Sequence, residues 1–296
     1  MISISDKTKG YLFVFISVIA ISNVYIFSKA AMNQVSFLQF SVFWFFFAMV
    51  WNFLLFGFSK KLRKDISINQ RNLFYLPLLG ILELLSTGLF FYAIKLTENP
   101  AIVSFLGNIG PIYVIVLGYL FLKERFNKWE ILGMVITLAG AIVMNYKKDF
   151  TWQEFFFKDA GIILFSSLLF AIGTVIAKSK INDIHPWLLT INRIIFIFSG
   201  FLILFLIKQE SISIPASALY NIILGSLLGP FLAVLSGYYA FKYLKVSKIS
   251  VIGTIKSFFI LIASYLFFGV LPMLYQIAGG VLMILGVIII TISKAK

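Results

Sequence analysis

Three ionisable side chains sit inside stretches otherwise too apolar for charge: Glu83 within residues 72–94, Arg193 within 187–207 and Lys256 within 248–268. A charge in hydrocarbon must be neutralised, paired or wetted, so each of the three is a candidate for chemistry rather than packing. Glu83 lies about eleven residues, roughly 16 Å, into its stretch. It reads as a proton-coupling carboxyl or as the counter-ion of a cationic or zwitterionic solute, with a protonated carboxyl bonded to a neighbouring helix as the structural alternative. Lys256, about eight residues or roughly 12 Å deep, offers a salt bridge to Glu83, a hold on a substrate carboxylate, or simple snorkelling. Arg193, six residues in, either joins that hold or snorkels to the nearer interface.

Polar and aromatic groups complete this candidate substrate site: Asn108, Tyr113 and Tyr239. Aromatic residues make up 18% of the chain, so a ring alone says little; packing or an interfacial belt accounts for most of them. The dipeptide Gly110-Pro111 removes a backbone donor and a Cβ at one point, where a membrane helix bends and its freed carbonyls face protein or a water-filled cavity. His185, just before Pro186, is a turn residue. It is also the one plausible base if the chain were an intramembrane lipid-modifying enzyme. No cysteine and a single histidine leave no thiolate nucleophile and no metal cluster. No phosphate-gripping Gly-rich loop is present either, so no cofactor is expected and energy comes from a proton or other gradient.

The elements that position these groups follow from composition. The 296 residues are 61% hydrophobic and 12% charged, with a mean hydropathy of +1.01, far from the mix of soluble domains. Ser104 to Phe126, SFLGNIGPIYVIVLGYLFLKERF, opens with nineteen uncharged residues, enough to cross a bilayer as a helix. Apolar blocks predict ten such spans: 10–28, 37–58, 72–94, 101–122, 129–146, 160–177, 187–207, 218–241, 248–268 and 273–292. The first follows Lys7 and Lys9 as a signal sequence would, but its length and the spans behind it favour a retained helix. With the N-terminus inside, the cytoplasmic segments carry seventeen lysines and arginines and the outer ones six. The net charge of +14 is thereby a matter of topology in a cell (plasma or inner) membrane with both termini cytoplasmic, and needs no nucleic acid. Lys60, Lys61, Arg63 and Lys64 then lie against anionic inner-leaflet lipid.

The chain repeats itself. At a shift of 146 residues, Tyr119-Leu120-Phe121 falls on Tyr265-Leu266-Phe267, and Gly107, Gly133 and Gly140 fall on Gly253, Gly279 and Gly286. Residues 1–148 and 149–296 form the two halves, joined through 147–158. Five spans per half is an odd number, so the second half lies inverted relative to the first, an arrangement common in secondary transporters. Gly133 with Gly140, and Gly279 with Gly286, mark close helix packing, with a neighbour in the same chain or in a homodimer; the sequence does not choose.

The run from Asn99 to Met144, with a Pro in the fourth span, the exit LFLKERF and the spaced glycines of the fifth, resembles the EamA-type repeat of the drug/metabolite transporter superfamily. The resemblance implies an all-α integral membrane protein of ten transmembrane helices in two inverted five-helix repeats. It further implies a central cavity lined by spans one to four and six to nine, and a small-molecule metabolite as substrate, with export as the direction. Glu124 stands at the position of the repeat's exit glutamate, whereas its counterpart is Val270, and Pro111 becomes Ser257. One acid with one or two bases suits an amino-acid-like zwitterion; a cationic or quaternary amine held by Glu83 and aromatics is the competing substrate.

Overall fold

The computed structural model describes residues 5–66, 72–96, 109–144, 158–268 and 271–293, and its elements are all helices. Gly107, Asn108, Val270 and the segment 145–157 between the halves lie outside the described residues. The helices are α1 (Asp6–Met32), α2 (Phe37–Phe58), α3 (Lys60–Asp65), α4 (Tyr75–Leu96), α5 (Gly110–Phe121), α6 (Lys128–Met144) and α7 (Lys158–Ser179). They continue with α8 (Pro186–Ile207), α9 (Ala216–Ser226), α10 (Val234–Phe241), α11 (Val246–Gly253), α12 (Lys256–Phe268) and α13 (Leu274–Ile292). Six stretches among the described residues are long and apolar enough to cross a membrane: α1, α2, most of α7, α8, residues 216–241 and α13. Tyr75–Phe90 and Gly110–Phe121 are shorter apolar helices.

Two predicted spans are not simple helices. The apolar pattern predicts one helix over 248–268, but α11 ends at Gly253 and α12 begins at Lys256. The turn between them is held by bonds three residues apart, Thr254 N–H to Val251 O and Ile255 N–H to Ile252 O, each 3.1 Å. The Thr254 hydroxyl also donates to Val251 O at 2.7 Å. Gly253 and the β-branched residues around it have weak helix preference, so this side-chain competition is enough to interrupt the helix. Residues 216–241 run through, yet Leu227–Ala233 widens into a π-helix around Pro230, which has no N–H to donate. At Gly110-Pro111 the proline occupies the first turn of α5, where no donor is required, and a helix starts there.

The chain divides into two compact units, residues 1–84 with 177–243, and residues 85–176 with 244–296. In the first, α1 lies antiparallel along the stretch from α9 to α10. Val24 meets Gly229, the Ser17 hydroxyl donates to Ala233 O at 2.7 Å, and Phe13 stacks on Tyr239 at 5.2 Å. In the same unit α2 and α8 are antiparallel: Phe37 packs against Phe201 at 5.5 Å and Phe56 against Trp187 at 4.9 Å. The Trp187 indole N–H donates to Asn52 O at 3.2 Å and so keeps a buried polar group satisfied.

In the second unit α6 and α13 are antiparallel and in backbone contact. A Cβ added at Gly133 would lie 2.7 Å from Gly286 O, and one at Gly140 would lie 2.7 Å from Gly279 O. The four glycines therefore serve one interface within the chain, one of the two options open in the sequence. Helix starts keep the 146-residue offset: Gly110 and Lys256 begin α5 and α12, and Lys128 and Leu274 begin α6 and α13.

Candidate functional site

The first unit holds a largely buried charge pair, with the acid more enclosed than the base. Where they meet, α4 and α8 run parallel with a constant offset: Asn192 Nδ2 donates to Leu76 O at 2.8 Å, Phe196 covers Gly80, and Leu84 sits where a Cβ on Gly200 would be. Glycine at these two positions lets the helices approach to side-chain thickness, and the pairing repeats every fourth residue along one ridge. That register sets Arg193 level with Pro77, about 9 Å from Glu83 along the axis. The lengths of the two side chains span the gap, and Arg193 Nη1 donates to Glu83 Oε2 in a salt bridge. Glu83 is 5% exposed.

Tyr238 on α10 completes the group, its buried hydroxyl lying 3.5 Å from Glu83 Oε1. Arg193 Nε is buried and has no acceptor among the described residues. The guanidinium thus meets the carboxylate through one arm, although its shape suits two parallel bonds. An unmet buried donor is costly, so this arrangement leaves room for a better-bonded one.

Of the residues singled out from sequence, Glu83 and Arg193 come together, a pairing that the sequence reading, with its bridge from Glu83 to Lys256, does not make. Tyr239 points elsewhere, because neighbours on a helix diverge by about 100°. Its ring stacks on Phe13, lies under Lys242 at 5.8 Å and meets His185 edge-on at 5.8 Å. Tyr238, one residue earlier, takes the place beside the carboxylate. Tyr113, Gly110 and Pro111 on α5, and Lys256 at the start of α12, belong to the second unit.

His185 is a helix cap: its Nδ1 accepts the Trp187 N–H at 3.2 Å at the start of α8. Burial, with the Lys242 charge nearby, holds its pKa below the ordinary imidazole value and keeps the accepting neutral form.

The second unit carries a polar cluster that the sequence does not mark as a group. Lys123 adopts φ 54° after α5 and turns the chain so that Glu124 faces the start of α11. Glu124 Oε1 accepts Val246 N–H at 2.7 Å, and Oε2 accepts the Ser247 hydroxyl at 2.5 Å and its N–H at 3.2 Å. A carboxylate on the first amides of a helix satisfies donors the helix cannot. Beside it Glu130, 1% exposed, pairs with Lys248 at 2.5 Å and Lys245 at 3.5 Å. The signal available in the sequence is the LFLKERF exit followed by Glu130, but nothing in it names α11 as the partner.

Comparison with known proteins agrees with this architecture. The model of the EamA-like transporter family matches residues 8–146 and again 160–292. An uncharacterized transporter of Synechocystis sp. is 23% identical over 256 residues, covering 82% of this chain and 72% of its own. An uncharacterized transporter of Archaeoglobus fulgidus is 23% identical over 195 residues, 65% of this chain and 68% of its own. A solved crystal structure superposes with a TM-score of 0.79 over 95% of each chain at 12% identity, a likeness of fold alone. The chain is a multi-pass membrane transporter and belongs to the EamA-like transporter family.

Proposed function

We propose that the chain is a secondary transporter of small zwitterionic metabolites of amino-acid type, working by alternating access between inverted halves, with export as its direction. The observation that carries the reading is the buried Glu83–Arg193 pair, whose Nε lacks an acceptor among the described residues. A zwitterion entering this pair exchanges one internal ion pair for two external ones: its carboxylate takes the guanidinium side-on, and its ammonium takes Glu83. The site stays neutral throughout, so no lone charge is left in low dielectric at any stage. A single cation or anion would leave one half unmatched. Tyr238 keeps its contact with the carboxylate as Arg193 departs. Between substrates Glu83 returns to Arg193, so the empty site is neutral as well.

Inversion is supported by the antiparallel runs of α2 with α8 and of α6 with α13, each of which pairs an element of one half with its counterpart in the other. Two similar halves of opposite sense give two access states of comparable energy. The bias of seventeen basic residues to six supports cytoplasmic termini in the cell membrane. Ligand-induced thermal shift on the purified chain tests the substrate class. Neutral amino acids should raise the melting temperature, and neither matched amines nor matched carboxylic acids should do so alone. Stabilisation by amines only would replace the zwitterion with a cation held by Glu83, and stabilisation by uncharged sugars would remove the ion pair from recognition.

A further inference from the structure

The short helix α3 carries a feature that transport does not use. Its six residues, KKLRKD, are too few to be helical alone, so the fold imposes their conformation. The Ser59 side chain accepts Leu62 N–H at 3.2 Å, and Leu62, 7% exposed, is locked in a cluster with Trp187, Ile191 and Leu235. This pinning holds Lys60 beside Lys64 and Arg63, and Lys61 beside Lys64, at spacings where like charges repel. Asp65, the acid of α3, forms no ion pair with these lysines among the described residues. Other cations of the same unit are engaged: Lys9 on Asp6, Lys178 on Phe241 O, and Lys180 over the Tyr75 ring at 4.3 Å. Lys60, Lys61 and Lys64 are exposed and form no ion pair among the described residues. A fold that fixes three repelling lysines without pairing them leaves a place for an outside anion.

The surface beneath them says which anion. Arg63 Nη1 donates to Gly57 O at 3.0 Å and ties α3 to the last turns of α2. That end of α2 is apolar and uncovered: Phe53 is 50% exposed, Leu54 41% and Phe58 85%, and nothing lies within 4 Å of the Cβ position of Gly57. We propose that α3 and the end of α2 form a site for one anionic phospholipid. The headgroup phosphate lies on Lys60, Lys61 and Lys64, and an acyl chain lies along Phe53, Leu54 and Phe58. A soluble anion would use the lysines but gain nothing from the strip.

The test titrates the detergent-purified full chain with dioctanoyl phosphatidylglycerol, dioctanoyl phosphatidylcholine or inorganic phosphate, reading the melting temperature. Phosphatidylglycerol should stabilise, with the choline lipid and phosphate roughly tenfold weaker or more. Each lysine is worth about fivefold in affinity near a membrane surface, so the Lys60→Gln, Lys61→Gln, Lys64→Gln triple variant should weaken phosphatidylglycerol about a hundredfold. The matching triple arginine variant should bind as the parent does, and Phe58→Ser should weaken the lipid. Should the glutamine triple fail to fold, the arginine triple and Phe58→Ser carry the test. Equal stabilisation by phosphatidylcholine, equal stabilisation by phosphate, or an unaltered response of the glutamine triple or of Phe58→Ser would each overturn the site.

Discussion

Replacing Glu83 with glutamine removes the carboxylate charge and keeps the side chain's size, so the response isolates the ion pair. The Glu83 side chain is 6% exposed and that of Arg193 18%, which leaves little water to screen either. Breaking a buried pair by removing one partner costs about 3–5 kcal/mol, because the survivor stays charged in a poor solvent. Arg193 is badly placed to recover, since its Nε already has no acceptor among the described residues and Tyr238 offers a neutral hydroxyl. The variant should therefore lose about 3 kcal/mol or more in reversible unfolding from detergent. Arg193→Met should cost a similar amount. The double variant, with no charge left to strand, should regain about 2 kcal/mol or more of the summed loss. Transport behaves differently: proteoliposome flux should fall strongly in both singles and remain low in the double, because a zwitterion then meets no charge. A double variant that recovers both stability and flux would make the pair a structural brace. A Glu83→Gln protein within about 0.5 kcal/mol of the parent would show that no charge is stranded, and the ion-pair reasoning would fail.

Gly140→Leu places a Cβ 2.7 Å from Gly279 O and 2.7 Å from Met283 N, both backbone atoms that cannot swing aside; forcing α6 from α13 should cost about 1–3 kcal/mol or more, read as a lowered melting temperature. Glu124→Ala strips the acceptor from the buried Val246 and Ser247 amides and should cost about 1–3 kcal/mol, while Glu124→Gln, which keeps one acceptor oxygen, should cost less in the same measurement. His185 caps α8 in its neutral form with its pKa held low, so its contribution to stability is complete above the ordinary imidazole pKa of about 6.5 and is lost as the pH falls through the folded value. Melting curves should show that loss on acidification in the parent, and a His185→Asn variant, whose cap does not titrate, should show less of it.

What the sequence makes legible is whatever depends on local composition. Uncharged blocks mark the apolar helices, and the glycine pairs at a 146-residue offset mark two faces for close packing, whereas that α6 and α13 are each other's partners shows only in the fold. Glu83 and Arg193 stand out one at a time, since charge within an apolar block is visible without a partner. Their pairing is not visible, because it rests on a register between α4 and α8 that Gly80 and Gly200 set by admitting Phe196 and Leu84. Apolar alternation carries no record of such a register in a chain where most positions are apolar. The choice of Tyr238 over Tyr239 is hidden for a related reason. It depends on helical phase, and the π-helix at Leu227–Ala233 changes the phase of everything after it relative to a regular helix. The break between α11 and α12 escapes a hydropathy reading because Thr254 and Gly253 interrupt the backbone without adding charge.

The central claim, that the Glu83–Arg193 pair exchanges its internal bond for the two charges of one solute, is tested most directly by counterflow. Proteoliposomes holding the purified chain are loaded with an unlabelled neutral amino acid mixture and diluted into the labelled compounds one at a time. The account predicts transient accumulation of at least one neutral amino acid, absent from empty liposomes and from Glu83→Gln protein, with matched amines and carboxylic acids failing to exchange. Accumulation that persists undiminished in Glu83→Gln and Arg193→Met proteins, or exchange of the amine as fast as the amino acid, would contradict it.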